Sequence, residues 1–125
     1  CLYASAVSGG LQSIKVTEET LMAGLSCGEV SPLAWESLAE GADDFLTIPE
    51  SLVAPTMRLL KRSPFGDAIV TAGESAIAGL AAAIVAARSP ALGEALRLDN
   101  KSRILTIGTE GATDPEIYSR LVNQA

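Results

Sequence analysis

Three short apolar runs, residues 44–48, 68–72 and 103–108, each lead through a turn into a helix-forming segment, and this alternation restricts the fold more than any other feature of the chain. Strands alternating with helices favour a parallel or mixed sheet with helices packed against it. The expectation is an α/β fold, a small and mostly parallel sheet flanked by helices, with residues 1–125 forming a single partial domain. Three strands make a small sheet, so neighbouring strands are expected elsewhere. The chain starts at Cys1 inside an amphipathic stretch, with no signal-like region before it, and is expected to be a piece of a longer protein.

Glycine, proline and small polar residues punctuate the helices. Residues 1–7 read as the end of a helix stopped by Gly9 and Gly10, since glycine readily takes the left-handed conformation of a C-cap. An extended segment over residues 14–17 and a short helix over 20–25 follow. Ser31 is placed to cap a helix with Pro32 in its first turn and Gly41 at its end. A helix carrying Leu52, Val53, Met57, Leu59 and Leu60 holds Pro55, which is tolerated if the helix starts late and otherwise kinks it. Gly73 and Glu74 are expected to open an alanine-rich helix through Arg88. Residues 91–98 read as a shorter helix, 99–102 as a polar turn, and 115–122 as the final helix.

Composition removes several function classes. The net charge of −6 and pI near 4.5 oppose an electrostatic grip on nucleic acid, and the few aromatics give no base-stacking platform. The longest apolar stretch, residues 76–87, is shorter than the roughly 20 residues a membrane span needs. With no histidine, the chain alone holds neither a Ser-His-Asp triad nor a Cys-His pair. Cys1 and Cys27 read as reduced thiols. Glu29 beside Cys27 opposes thiolate formation, so Cys27 is expected to be structural.

The densest chemistry lies in residues 103–118, RILTIGTEGATDPEIY. An apolar run empties into a cluster in which Thr106, Thr109, Glu110, Thr113 and Asp114 supply hydroxyls and carboxylates, bracketed by Gly108 and Gly111. The ends of strands in α/β proteins are where ligands bind. Glu110 and Asp114 form a candidate carboxylate pair, although Asp114 also suits a helix cap. The junction Gly73-Glu74-Ser75 offers amides that would suit an anion, or an ordinary helix start. No nearby lysine completes either cluster, and Lys15, Lys61 and Lys101 sit in polar or helix-terminal settings unsuited to a reactive amine.

Four segments in order, CLYASAVSGG at Cys1, LMAGLSCGEVSPLAWE at Leu21, AGESAIAGL at Ala72 and IGTEGATDPEIY at Ile107, resemble the C-terminal part of the diaminopropionate ammonia-lyase family. These are fold-type II enzymes that use pyridoxal 5′-phosphate (PLP). The resemblance implies α,β-elimination of 2,3-diaminopropionate to pyruvate and two ammonia molecules, in a cytoplasmic homodimer, with a small amino acid as substrate. It also implies that the Schiff-base lysine, the catalytic aspartates and the phosphate-binding loop lie upstream, in the remainder of the polypeptide. The chain alone is then expected to be inactive.

The resemblance further assigns one side of a PLP pocket. Thr109 matches the Ser or Thr hydroxyl that faces the pyridine nitrogen, Gly24 and Leu25 match the backbone along the ring, and Glu74 matches the carboxylate of a Gly-Glu-Ser-Gly run. Ala76 stands where that run has its last glycine, which narrows the pocket by a methyl group. Two other readings stay open: a fragment of a related serine or threonine dehydratase, and a noncatalytic domain that binds a ligand or partner.

Overall fold

The structure, a computed structural model, describes residues 1–123, and it falls into two units, Cys1–Thr47 and Ile48–Ala125. In the first, α1 (Leu2–Ser8) ends where Gly9 turns left-handed at φ 73° and its amide finds Ala6 O. Ser5 is fully buried, and its hydroxyl accepts from Gln12 N at 2.9 Å, tying the following loop back to the helix. Further on, Ile14 N donates to Gly28 O at 2.8 Å. A Cβ on Gly28 would lie 2.7 Å from Ile14 O, so that approach needs glycine.

A 3-10 turn at Ala23–Leu25 takes the place of the short helix expected over residues 20–25. Next, α2 (Pro32–Gly41) starts as the sequence indicates, with the Ser31 hydroxyl accepting from Ala34 N at 3.4 Å and proline in the first turn. Trp35 on this helix meets Phe45, with ring centroids 6.3 Å apart and planes tilted by 41°, a favourable aromatic arrangement.

The second unit holds the larger set of packed helices. A 3-10 turn at Glu50–Leu52 runs into α3 (Val53–Arg62), and this late start leaves Pro55 in the first helical turn, where its missing N–H costs nothing. Val53, Thr56 and Met57 share the buried face, and the Thr56 hydroxyl is satisfied by Leu52 O at 2.7 Å. Three further helices follow in order, α4 (Ala78–Arg88), α5 (Pro90–Ala95) and α6 (Pro115–Asn123), and Asp114 caps the last of them. The cap belongs to α6, where Asp114 Oδ1 accepts from Glu116 N at 3.0 Å and Ile117 N at 2.9 Å.

Packing pairs α3 with α6, α4 with α5, and α3 with α4. Leu121 and Val122 bury the inner face of α6, and Arg58 Nη1 reaches Leu121 O at 3.4 Å. Lys61 Nζ donates to Asn123 Oδ1 at 2.9 Å. The helix expected over residues 91–98 stops early because Arg97 turns left-handed at φ 54° while Leu98 N returns to Gly93 O at 2.8 Å, a Schellman-like closure. In the turn that follows, the Ser102 hydroxyl and Lys101 N donate to the exposed Asp99 carboxylate and hold its pKa below the usual value.

The expected small parallel sheet is not present: among the described residues the regular elements are all helical. Residues 44–48, 68–72 and 103–108 are irregular. A strand is stabilised by a ladder of backbone bonds and a buried face, and these segments have neither. Val70 N bonds instead to Leu60 O, in α3, at 3.3 Å, while Ile69, Leu105 and Ile107 remain 69%, 86% and 77% exposed. Apolar composition alone therefore marked segments that, among the described residues, form no strand ladder. Among the described residues, no helix is long and apolar enough to cross a membrane.

Met57 is 1% exposed and sits on the α3 face that packs on neighbouring helices. Truncation to alanine removes three heavy atoms from a closed site, so Met57→Ala is expected to destabilise this unit by about 2–5 kcal/mol, read as a lower denaturation midpoint.

Candidate functional site

The four residues assigned to a cofactor fall in both units. Gly24 and Leu25 lie in the 3-10 turn of the first, with Leu25 exposed. That turn is built from backbone bonds, Leu25 N to Met22 O at 2.8 Å and Ser26 N to Ala23 O at 3.1 Å. It is pinned further by Ser26 Oγ donating to Glu19 Oε2 at 2.6 Å. Beside it, Cys27 is an exposed free thiol.

Glu74 and Thr109 lie in the second unit, on two loops that are laced together. Gly73 N donates to Glu110 O at 3.1 Å, and Ser75 N donates to Glu110 Oε2 at 2.7 Å. One residue thus receives two amides of the opposite loop, one through its main chain and one through its carboxylate. Such closeness depends on glycine. A Cβ on Gly73 would collide with Gly111 O and would sit 2.8 Å from both Cγ and Oε2 of Glu110. A second contact runs between the same loops, because a Cβ on Gly108 would lie 3.2 Å from Ala76 O and 3.3 Å from Ala76 Cβ.

This lacing displaces the expected start of the alanine-rich helix. Residues 74–77 form turns, with Ala76 N on Gly73 O at 3.2 Å, and the helix begins at Ala78. The Gly73 and Ser75 amides, which a helix opening at Gly73 would aim along its axis, are taken sideways by Glu110. The junction is therefore neither the ordinary helix start nor the row of unpaired amides that its sequence offered.

Two groups on these loops stay unpartnered. Glu74 is buried, and among the described residues its Oε1 is the buried side-chain oxygen without a hydrogen-bond partner. An unsatisfied buried polar atom costs about 1–3 kcal/mol, so this oxygen suits a donor that the described residues do not provide. Thr109 is exposed, and its hydroxyl makes no hydrogen bond among those residues. Beside the loops, a cavity of about 270 Å³ is lined by Ala72, Ala76, Ile77, Thr106, Gly108 and Glu110 among others. A buried carboxylate oxygen and a free hydroxyl beside glycine-thinned backbone fit a polar, planar ligand such as PLP.

The candidate carboxylate pair divides. Asp114 caps α6, whereas Glu110 bridges the loops. Among the described residues, no group of three or more His, Cys, Asp or Glu side chains could hold a metal ion. The bridging role of Glu110 has no local sequence signal, because Ser75 lies 35 residues away.

Gly73 and Gly111 give a differential test. Gly73→Ala is expected to part the loops and cost about 1–3 kcal/mol, as overpacking does. Gly111→Ala, with nothing within 4 Å of its added Cβ and no positive φ, is expected to stay within about 0.5 kcal/mol of the parent. Denaturation midpoints of the two variants check the contrast.

No family model matches the chain. Curated relatives do: diaminopropionate ammonia-lyase of Escherichia coli K12 is 37% identical over 98% of this chain and 31% of its own length. The enzyme of Salmonella typhimurium LT2 is 34% identical over 98% of this chain and 32% of its own length. Among solved structures, the E. coli enzyme in complex with an aminoacrylate-PLP azomethine reaction intermediate superposes with a TM-score of 0.85 at 36% identity, covering 98% of this chain and 31% of that one. The same enzyme in complex with D-serine gives a TM-score of 0.86 at 35% identity, with the same coverage. By sequence and by fold, this chain is similar to the C-terminal part of diaminopropionate ammonia-lyase, and it spans only 31% of the length of the E. coli enzyme.

Proposed function

We propose that the polypeptide to which this chain belongs is a PLP-dependent ammonia-lyase that converts 2,3-diaminopropionate to pyruvate and ammonia. The observation that carries the reading is the likeness over 98% of the chain, in sequence and in fold, to an enzyme whose structure holds a PLP-bound reaction intermediate. In this reading residues 1–125 are one part of a fold-type II catalytic chain, which works in the cytoplasm as a homodimer. The remainder of the polypeptide covers apolar residues such as Leu105 and Ile107, which are exposed here.

PLP, when bound, withdraws electrons from the substrate Cα and so eases loss of the α proton and the β-amino group. The chain's own residues have narrower tasks. Thr109 offers a neutral hydroxyl to the pyridine nitrogen. Unlike an aspartate, it does not hold that nitrogen protonated, which suits elimination of a β-leaving group because less carbanion stabilisation is required. Gly24 and Leu25 give a backbone surface to the ring. Glu74, whose buried Oε1 has no partner among the described residues, acts near cofactor or substrate.

The complex of the E. coli relative with D-serine favours a second reading, in which a β-hydroxyl amino acid also enters the site. Competition between diaminopropionate and D-serine on the complete polypeptide separates the two, since a dehydratase turns over serine in preference.

None of the three lysines matches a Schiff-base position, and Lys61 is engaged with Asn123. The complete polypeptide supplied with PLP and 2,3-diaminopropionate is therefore expected to release pyruvate, and residues 1–125 alone are expected to release none. Pyruvate formation by the isolated chain would overturn the division of labour.

A further inference from the structure

We infer that Glu110 is a positioning residue, which holds the Thr109 hydroxyl in register with the Glu74 loop and so sets the cofactor-facing wall of the site. The inference rests on the PLP reading above for what the wall faces. Its geometry stands on the loops alone.

Thr109 cannot hold itself. It is exposed, forms no hydrogen bond among the described residues, and belongs to an irregular segment with no ladder to fix its backbone. Its neighbour carries the constraints. Glu110 O accepts from Gly73 N at 3.1 Å, and Glu110 Oε2 accepts from Ser75 N at 2.7 Å. These amides flank Glu74, so the loop bearing the unpartnered buried oxygen is gripped on both sides by the residue that follows Thr109.

The two bonds constrain different freedoms. The main-chain bond sets the separation of the loops, while the side-chain bond engages the amide two residues further on and restrains rotation about the first. Together they hold the Glu110–Gly111 peptide and the Glu110 side chain, and so fix the Glu110 Cα to which Thr109 is joined. Gly73 makes the arrangement possible, since any Cβ there would meet the Glu110 carboxylate and Gly111 O. Gly108 lies close against Ala76 and limits the loop on the other side of Thr109. A carboxylate accepting a backbone N–H is also a stronger tether than a neutral acceptor.

Reach, rather than charge alone, is the essential property. Glutamine keeps the length and an accepting oxygen, aspartate keeps the charge but loses a methylene, and alanine loses both. The test uses the complete PLP-loaded polypeptide carrying Glu110→Gln, Glu110→Asp, Glu110→Ala or Thr109→Val. Two readouts are taken: amide hydrogen exchange at Gly73 and Ser75, and the affinity and absorbance spectrum of bound PLP.

Glu110→Ala and Glu110→Asp are expected to speed exchange at Ser75 by about tenfold or more, the scale of losing a hydrogen bond to a charged acceptor. They are expected to weaken PLP binding and shift its spectrum in the same sense as Thr109→Val, while Glu110→Gln, which keeps the reach but gives up the charge, changes both readouts less than Glu110→Asp does. If the alanine variant does not fold, the aspartate and glutamine variants decide between reach and charge. Unchanged exchange at Ser75 in Glu110→Asp would overturn the inference, as would faster exchange with unaltered PLP binding. A Thr109→Val variant with parental PLP affinity and spectrum would overturn the role of Thr109 itself. With exchange at Ser75 still responding to Glu110, that failure would belong to the PLP reading and not to the tether.

Discussion

The contact on which the second unit's site depends is the crossing of Gly73 and Glu110. Two loops separated by more than thirty residues approach until a main-chain bond and a carboxylate bond join them, and the approach exists only because position 73 has no side chain. From that crossing follow the turns at residues 74–77, the later start of α4 and the burial of Glu74. The crossing thus trades regular helix geometry for a fixed relation between two loops. An ordinary capped helix beginning at Gly73 would leave Ser75 N pointing along its axis and Glu110 without its acceptor role.

The helix packing and the candidate site draw on different interactions in this unit. The buried side chains Val53, Met57, Leu121 and Val122 close α3 against α6 through apolar packing, which is insensitive to the orientation of any one polar group. The site loops anchor Ile77 and Ala72 in the interior, but they are joined to each other by directional bonds. Hydrogen bonds of this kind contribute modestly to net stability but define angles. That separation is useful at a binding site, because a rigid helix pair supports loops whose polar atoms are left for a ligand.

The helical punctuation was legible because its causes are local. Ser31 with Pro32, Gly9 in the left-handed conformation, and Asp114 before Pro115 act within a few residues of themselves, and each terminates or begins a helix as its chemistry requires. The late start of α3 likewise resolves the two possibilities that Pro55 left open. The strands were misread because their signal is not local. Residues 68–72 and 103–108 have the apolar composition of strands, but a strand exists only with a partner, and Val70 bonds to a helix end instead. Of the candidate site, the family motifs pointed to Thr109 and Glu74, whereas the bond of Glu110 to Ser75 spans 35 residues and has no spacing that composition could reveal.

The orphaned oxygen of Glu74 and the free hydroxyl of Thr109 follow from the same tether. Glu110 already takes the two amides that could have satisfied a carboxylate on the neighbouring loop, so Glu74 cannot fold back to accept from Gly73 or Ser75 without displacing it. Thr109 precedes the tether and lies outside it, where its hydroxyl meets no described partner. A loop pair satisfied by internal bonds alone would have left nothing to recognise a ligand. By concentrating the internal bonds on Glu110, the fold keeps one carboxylate oxygen and one hydroxyl uncommitted on adjacent loops, and their polarity is available to whatever occupies the site.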